Sequence, residues 1–182
     1  MDSITSKIKS FPTEVRDHQS IISDARKLGA VKAKIILTAT IDLGNWVKLQ
    51  CQYGCSYYGT RFTCPPFSPT SDEMSEILLD YKKAIVIQME DPEMVLGAVL
   101  NLEDNLKKKG FYKAFGICAL PCSLCEICTI DTVCQHPEKA RPTFQACGIN
   151  VTQIMSSLGW GDGVPMMTTC ADNHPMGMVL IH

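Results

Sequence analysis

The chain has 182 residues, 46% of them hydrophobic and 20% charged, with a formal net charge of −2. That length suits one compact domain with a single core, and the near-neutral balance gives no basic surface for nucleic acid or for an anionic membrane. Met1 to Lys7 contains no apolar h-region, and the longest apolar runs are only a few residues, so neither a signal peptide nor a membrane span is expected and the chain is read as cytoplasmic, in a reducing compartment.

The expected architecture is α/β: a single layered domain over 15–182, preceded by a flexible tail over 1–14, with a small mixed sheet flanked by helices. Val15 to Leu28 places Ile21, Ile22, Ala25 and Leu28 near helical spacing and ends at Gly29, a natural C′ residue. Val31 to Leu37 reads as a strand, and Trp46 to Leu49 as a second extended piece leading into Cys51. Thr70-Ser71-Asp72-Glu73 fits a capping box for a helix through about Lys82. The β-branched run Ala84 to Met89 reads as a buried strand. Asp91-Pro92 then opens a long helix to Lys109, closed by Gly110. Tyr112 to Ile117 is a short strand. Thr152 caps a short helix ending at Gly159, and Met166 to Cys170 pairs with Met178 to Ile181 as a closing hairpin. Strand and helix alternate through the middle, which places the cysteine-rich loops at one end of the sheet.

Ten cysteines without an export signal point to metal ligation rather than disulfides. The sharper group is Cys122-x2-Cys125-x2-Cys128-x5-Cys134. Three cysteines at intervals of three match the bacterial ferredoxin run, because a chain wound around a cubane must turn at every third residue to reach neighbouring irons. Structural zinc sites instead take two cysteines from one knuckle and two from a distant one, so zinc is the alternative. The fourth cysteine stands five residues on rather than three, so Cys134 either closes the same cluster or reaches another.

The other group is Cys51-x3-Cys55-x8-Cys64-Pro65-Pro66, with Gly54 and Gly59 between the cysteines. Cys64-Pro65 is like the Cys-Pro of ferredoxins, whose cysteine serves the second cluster. By that analogy Cys64 completes the set of Cys122, Cys125 and Cys128. Cys51, Cys55 and Cys134 then hold a second cluster that needs one more ligand, from Cys118, Cys147 or Cys170, or keeps an open position. Cys170, in an apolar run, reads as a core residue, and Cys118 and Cys147 read equally as core or ligand. Arg61 lies inside the first cysteine loop and Arg141 follows the second, either to balance cluster charge, to bind an anionic partner, or as surface arginines. His136 is a candidate ligand, whereas His174 and Asp162 read as turn residues.

Several stretches act together as a pattern: Lys48-Leu49-Gln50-Cys51, Cys55 with Tyr58-Gly59, and Cys64-Pro65-Pro66-Phe67-Ser68-Pro69. It continues through Pro121-Cys122 to Cys128, Cys134 with Pro137, Arg141-Pro142-Thr143, and Gly148-Ile149-Asn150-Val151. The pattern resembles an uncharacterised domain family of predicted metal-binding proteins common in anaerobic bacteria and archaea. Leu120 stands where that family usually has Gly, and Asn150 where it has Asp. The resemblance implies a metal, of iron–sulfur type, and an anaerobic setting; it implies no reaction.

Three functions compete on this reading. The first is an iron–sulfur protein carrying one or two [4Fe-4S] clusters, which transfers electrons to a redox partner protein or serves a redox or cofactor-activation system. The second is an enzyme with an open-site cluster, and the third a zinc-stabilised interaction module. No nucleotide, flavin or triad motif is present, and the Gly159 to Gly163 stretch lacks the strand–turn–helix setting of a phosphate loop.

Overall fold

The computed structural model describes residues 14–161 and 175–182. Helix α1 (Glu14–Lys27) ends at Gly29, whose φ of 94° only glycine adopts freely. It is followed by β1 (Lys32–Leu37), α2 (Asn45–Gly54), α3 (Ser71–Leu78) and β2 (Lys83–Gln88). Then come α4 (Met94–Lys108), β3 (Phe115–Cys118), α5 (Val151–Leu158) and β4 (Met176–Ile181). The expected hairpin partner Met166 to Cys170 lies outside the described residues, as do the first thirteen residues and Asp162 and His174.

The four strands form one sheet in the order β1-β2-β4-β3, and all its pairings are antiparallel where a mixed sheet was expected. The two inner strands are apolar along their middles because both faces are covered. Val86, Met178 and Leu180 pack with Met74 of α3 and Ile154 of α5 on one side. Ile85, Ile87 and Val179 pack with Ala25 of α1 and Val99 and Leu102 of α4 on the other. The fold is thus three layers, helix on sheet on helix.

Local signals explain most of the elements. Thr70 accepts from the Glu73 N–H at 3.2 Å while Glu73 accepts from the Thr70 N–H at 2.7 Å, so the capping box forms as its sequence implies. The helix it opens ends at Leu78, short of Lys82, because Leu79 to Tyr81 close in tight turns onto the carbonyls of Glu76 to Leu78. Two expectations are corrected. Trp46 to Leu49 is helical, not extended: Val47 and Cys51, four residues apart, bury one face of α2. The cap of α5 is Asn150 rather than Thr152; its side chain accepts from the Gln153 N–H at 3.2 Å and donates to Asp42 at 2.8 Å.

The densest polar contact joins α4 to the chain beyond the second cysteine group. Gly116 and Gly177 lie on adjacent strands two register positions apart, and an added Cβ would come within 2.4 Å and 2.3 Å of Val99 on α4. That close approach lets Glu103 reach the sheet, where it accepts from the Gly116 N–H at 2.7 Å. Arg141 grips the same carboxylate twice, Nε to Oε2 at 2.8 Å and a terminal nitrogen to Oε1 at 2.9 Å, and Lys107 donates as well. Arg141 is therefore a buried structural cation, neither a surface arginine nor free to bind an anion. Burial alone would raise the Glu103 carboxyl. The hydrogen bonds from Arg141 and Lys107, the Arg141 charge and the Gly116 N–H outweigh it and hold the carboxyl below its usual range.

Removing one member of a buried pair strands the other. Glu103→Ala should cost about 3–5 kcal/mol, read as a drop in denaturant midpoint. Because the folded carboxyl titrates below its unfolded value, the contribution of Glu103 is complete above the unfolded carboxylate range. It is lost as pH falls through the lowered folded value. Glu103→Gln should lack that acid-side loss; an unchanged acid profile would show that the pair is not the cause.

Candidate metal centre

The second cysteine group lies on a stretch without helix or strand, from Ala119 to Pro142. Its ends are fixed. At the start, the Ala119 N–H donates to Met176 at 2.9 Å and continues the sheet. At the finish, Thr143 forms a parallel bridge beside Cys118, and the Phe144 N–H donates to the Cys118 carbonyl at 2.9 Å. Between these anchors the loop folds on itself: Thr132 donates to the Thr129 carbonyl at 3.0 Å, and Ala140 to that of His136 at 2.8 Å.

Inside the fold of this loop, Cys122, Cys125, Cys128 and Cys134 all line one small cavity, with Arg61 and His136 in its wall. Of the two places open to Cys134, this cavity sets it beside Cys122, Cys125 and Cys128. Cys122 is raised by burial first; the Leu124 N–H on its sulfur and the nearby Arg61 charge act the other way. Arg61 donates to the Cys122 carbonyl at 2.6 Å and stacks over Tyr57 at 4.7 Å. Its Nε is buried with no partner among the described residues. A buried N–H of a cation on the wall of a thiol-lined cavity suits a negatively charged occupant.

The first group stands beside the second. Helix α2 carries the buried Cys51, and half-buried Cys55 caps the helix end, its N–H donating to the Cys51 carbonyl at 3.3 Å. The chain then turns at Gly59, whose N–H donates to the Pro65 carbonyl at 2.8 Å, and delivers a buried Cys64. Thr63 accepts from the Thr143 N–H at 3.4 Å, which lays this loop against the segment already bridged to β3. The register shows that β1 and β3 leave the sheet at opposite ends, so the two groups do not meet simply as neighbouring loop tips. They meet where the Arg61–Cys64 turn crosses the exit of the second loop.

Burial pushes Cys51 and Cys64 up to about 11; the charges of Cys55 and Cys64 add to the rise at Cys51, and the Thr63 hydroxyl offsets part of it at Cys64. Burial pushes Cys118 and Cys147 up to about 12. Among the described residues, no three His, Cys, Asp or Glu side chains converge as ligands of a single ion.

Beside this cavity runs an open apolar cleft walled by Phe62, Phe67, Tyr81, Phe115 and three prolines, with Cys134 at the shared edge. Val133, which lines the cleft, is 73% exposed, and Ile127, elsewhere on the same loop, is 82% exposed. Neither the cleft nor these two side chains carries a sequence signal, since a loop without periodicity does not reveal which of its apolar residues face solvent.

In metal-stripped protein at neutral pH, a brief pulse of alkylating reagent should label half-buried Cys125, Cys128 and Cys134 first and Cys118 and Cys147 last, since the thiolate is the reactive form and access limits it. Peptide mass spectrometry reads the order; equal labelling of Cys147 and Cys125 would contradict the burial described.

A family model described as predicted metal-binding protein (DUF2284) matches residues 34–181. No curated protein and no solved structure matches the chain.

Proposed function

The chain belongs to this family of predicted metal-binding proteins, and on that premise we propose that Cys122, Cys125, Cys128 and Cys134 hold a [4Fe-4S] cluster through which the protein passes electrons to a redox partner. The observation that carries the reading is the single cavity lined by all four cysteines of the ferredoxin-like run. Bound there, a cubane supplies one-electron chemistry whose potential depends on charge and hydrogen bonding around it.

The chain's own groups fit that task. Arg61 sets a cation against a thiolate-rich site and ties the first cysteine loop to the second through the Cys122 carbonyl. The Leu124 N–H donates to the Cys122 sulfur, the kind of contact that stabilises thiolate and tunes a site from outside the ligand shell. Three cysteines at intervals of three, with a fourth on the same loop, favour a cluster over a single zinc ion. Ile127 and Val133, exposed on the loop that carries the ligands, offer a small apolar contact of the kind a transient partner covers. No described helix is long and apolar enough to cross a membrane, and buried free thiols suit a reducing cytoplasm.

Protein purified without oxygen should be brown, should contain iron and acid-labile sulfide, and should bleach on reduction. Cys125→Ala or Cys128→Ala should remove the iron of this site and destabilise the loop, whose folding leans on metal binding. Colourless protein with one equivalent of zinc and no sulfide would replace this reading with a zinc-stabilised module.

A further inference from the structure

We propose a second cluster site in this chain, separate from the first, with Cys51, Cys55, Cys64 and Cys147 as its ligands; the proposal rests on the iron–sulfur reading of the first site. Once Cys134 is placed with Cys122, Cys125 and Cys128, the first group is left with three cysteines, and hydrogen bonds bring one more to them. Thr63, immediately before Cys64, accepts from the Thr143 N–H. Ser68, whose N–H donates to the Cys64 carbonyl at 3.1 Å, sends its hydroxyl to the carbonyl of Ala146 at 3.1 Å. The turn carrying Cys64 is thus pinned on both sides to the segment that ends in Cys147.

From the other side, α2 packs against the 3-10 turn Gln145–Cys147. The Gly44 N–H donates to the Gly148 carbonyl at 2.9 Å and the Asn150 N–H to that of Asp42 at 3.0 Å, so the start of α2 is fixed to the exit from that turn. Cys51 interacts electrostatically with Cys55, Cys64 and Cys147. Gly148 has a φ of 76° and no room for a side chain, since a Cβ would stand 2.7 Å from that of Ser71. The turn is therefore held in one conformation. It also carries Gln145, whose buried amide has no partner at either end among the described residues; such a group calls for a polar neighbour.

Among the described residues Cys118 is the alternative fourth ligand, and its surroundings argue against it. It sits within β3, its backbone is paired to Pro142 and Phe144, and the charges acting on it are those of Arg141, Cys122 and Glu103 rather than those of the first group.

The test is iron and sulfide content of the full chain reconstituted without oxygen, for the wild type and for Cys147→Ala, Cys55→Ala, Cys118→Ala and Cys125→Ala. Wild type should hold about eight irons, two cubanes' worth. Cys147→Ala and Cys55→Ala should each fall to about half, Cys125→Ala to the complementary half, and Cys118→Ala should stay at the wild-type value. Cys55 is half-buried, so its variant serves where loss of the fully buried Cys147 prevents folding. A wild type with about four irons that Cys125→Ala abolishes and Cys55→Ala leaves intact would overturn the second site and keep the first. About four irons lost with Cys55 and Cys147 but kept in Cys125→Ala would uphold the second site and overturn the first. Full iron in Cys147→Ala would exclude Cys147 as a ligand, and a wild type without iron would overturn both.

Discussion

The carboxylate of Glu103 holds the architecture at the point where scaffold and cysteine loop join. It is nearly buried, and three elements converge on it: α4, which carries it; β3, through the Gly116 N–H; and the end of the long loop, through the two-pronged Arg141. An ion pair this deep contributes little net stability against a well-packed apolar alternative, because both charges lose their water. What it imposes is position. A guanidinium fork accepts one geometry of carboxylate, so residue 141 has one place to be, and with it Thr143, Phe144 and the turn to Cys147. Arg141 also donates to the carbonyls of Glu138 and Ala140, which shapes the last bend of the cysteine loop.

Arg61 plays a different part. It lies on the wall of the four-cysteine cavity, half-buried, with one nitrogen on a backbone carbonyl and another left without a partner. The two arginines, one inside the first cysteine loop and one after the second, thus divide the work: Arg141 fixes the loop to the sheet, and Arg61 faces the site. Asn150 shows a similar economy. Its amide serves as the α5 cap and also donates to Asp42; an aspartate there would keep the cap but set two carboxylates against each other.

The elements legible in the sequence were those whose signals are local. The Thr70–Glu73 box, the Gly29, Gly110 and Gly159 stops and the β-branched run ahead of Met89 each contain their own cause. The failures were of two kinds. Trp46-Val47-Lys48-Leu49 has strand-like composition over four residues, yet it is helical, with Val47 and Cys51 buried and the helix packed on the 145–147 turn, a tertiary override of propensity. The ligand spacing of the cysteines is local and was readable. Which cysteine sits with which is set by contacts between distant segments, such as Thr63 with Thr143, and spacing says nothing of those. The role of Arg141 was hidden for the same reason, since Glu103 lies 38 residues away.

Strand β4 occupies an inner position in the sheet, between β2 and β3, yet follows every other described element along the chain. β2 and β3 pair with it and not with each other. A chain emerging from the ribosome therefore exposes all nine described cysteines before the strand that unites the sheet has been made. Each cysteine segment reaches solvent in turn, first Cys51 to Cys64, later Cys118 to Cys147, on a scaffold whose halves are still unjoined. The sheet that carries both cysteine segments is complete only once this last strand is in place.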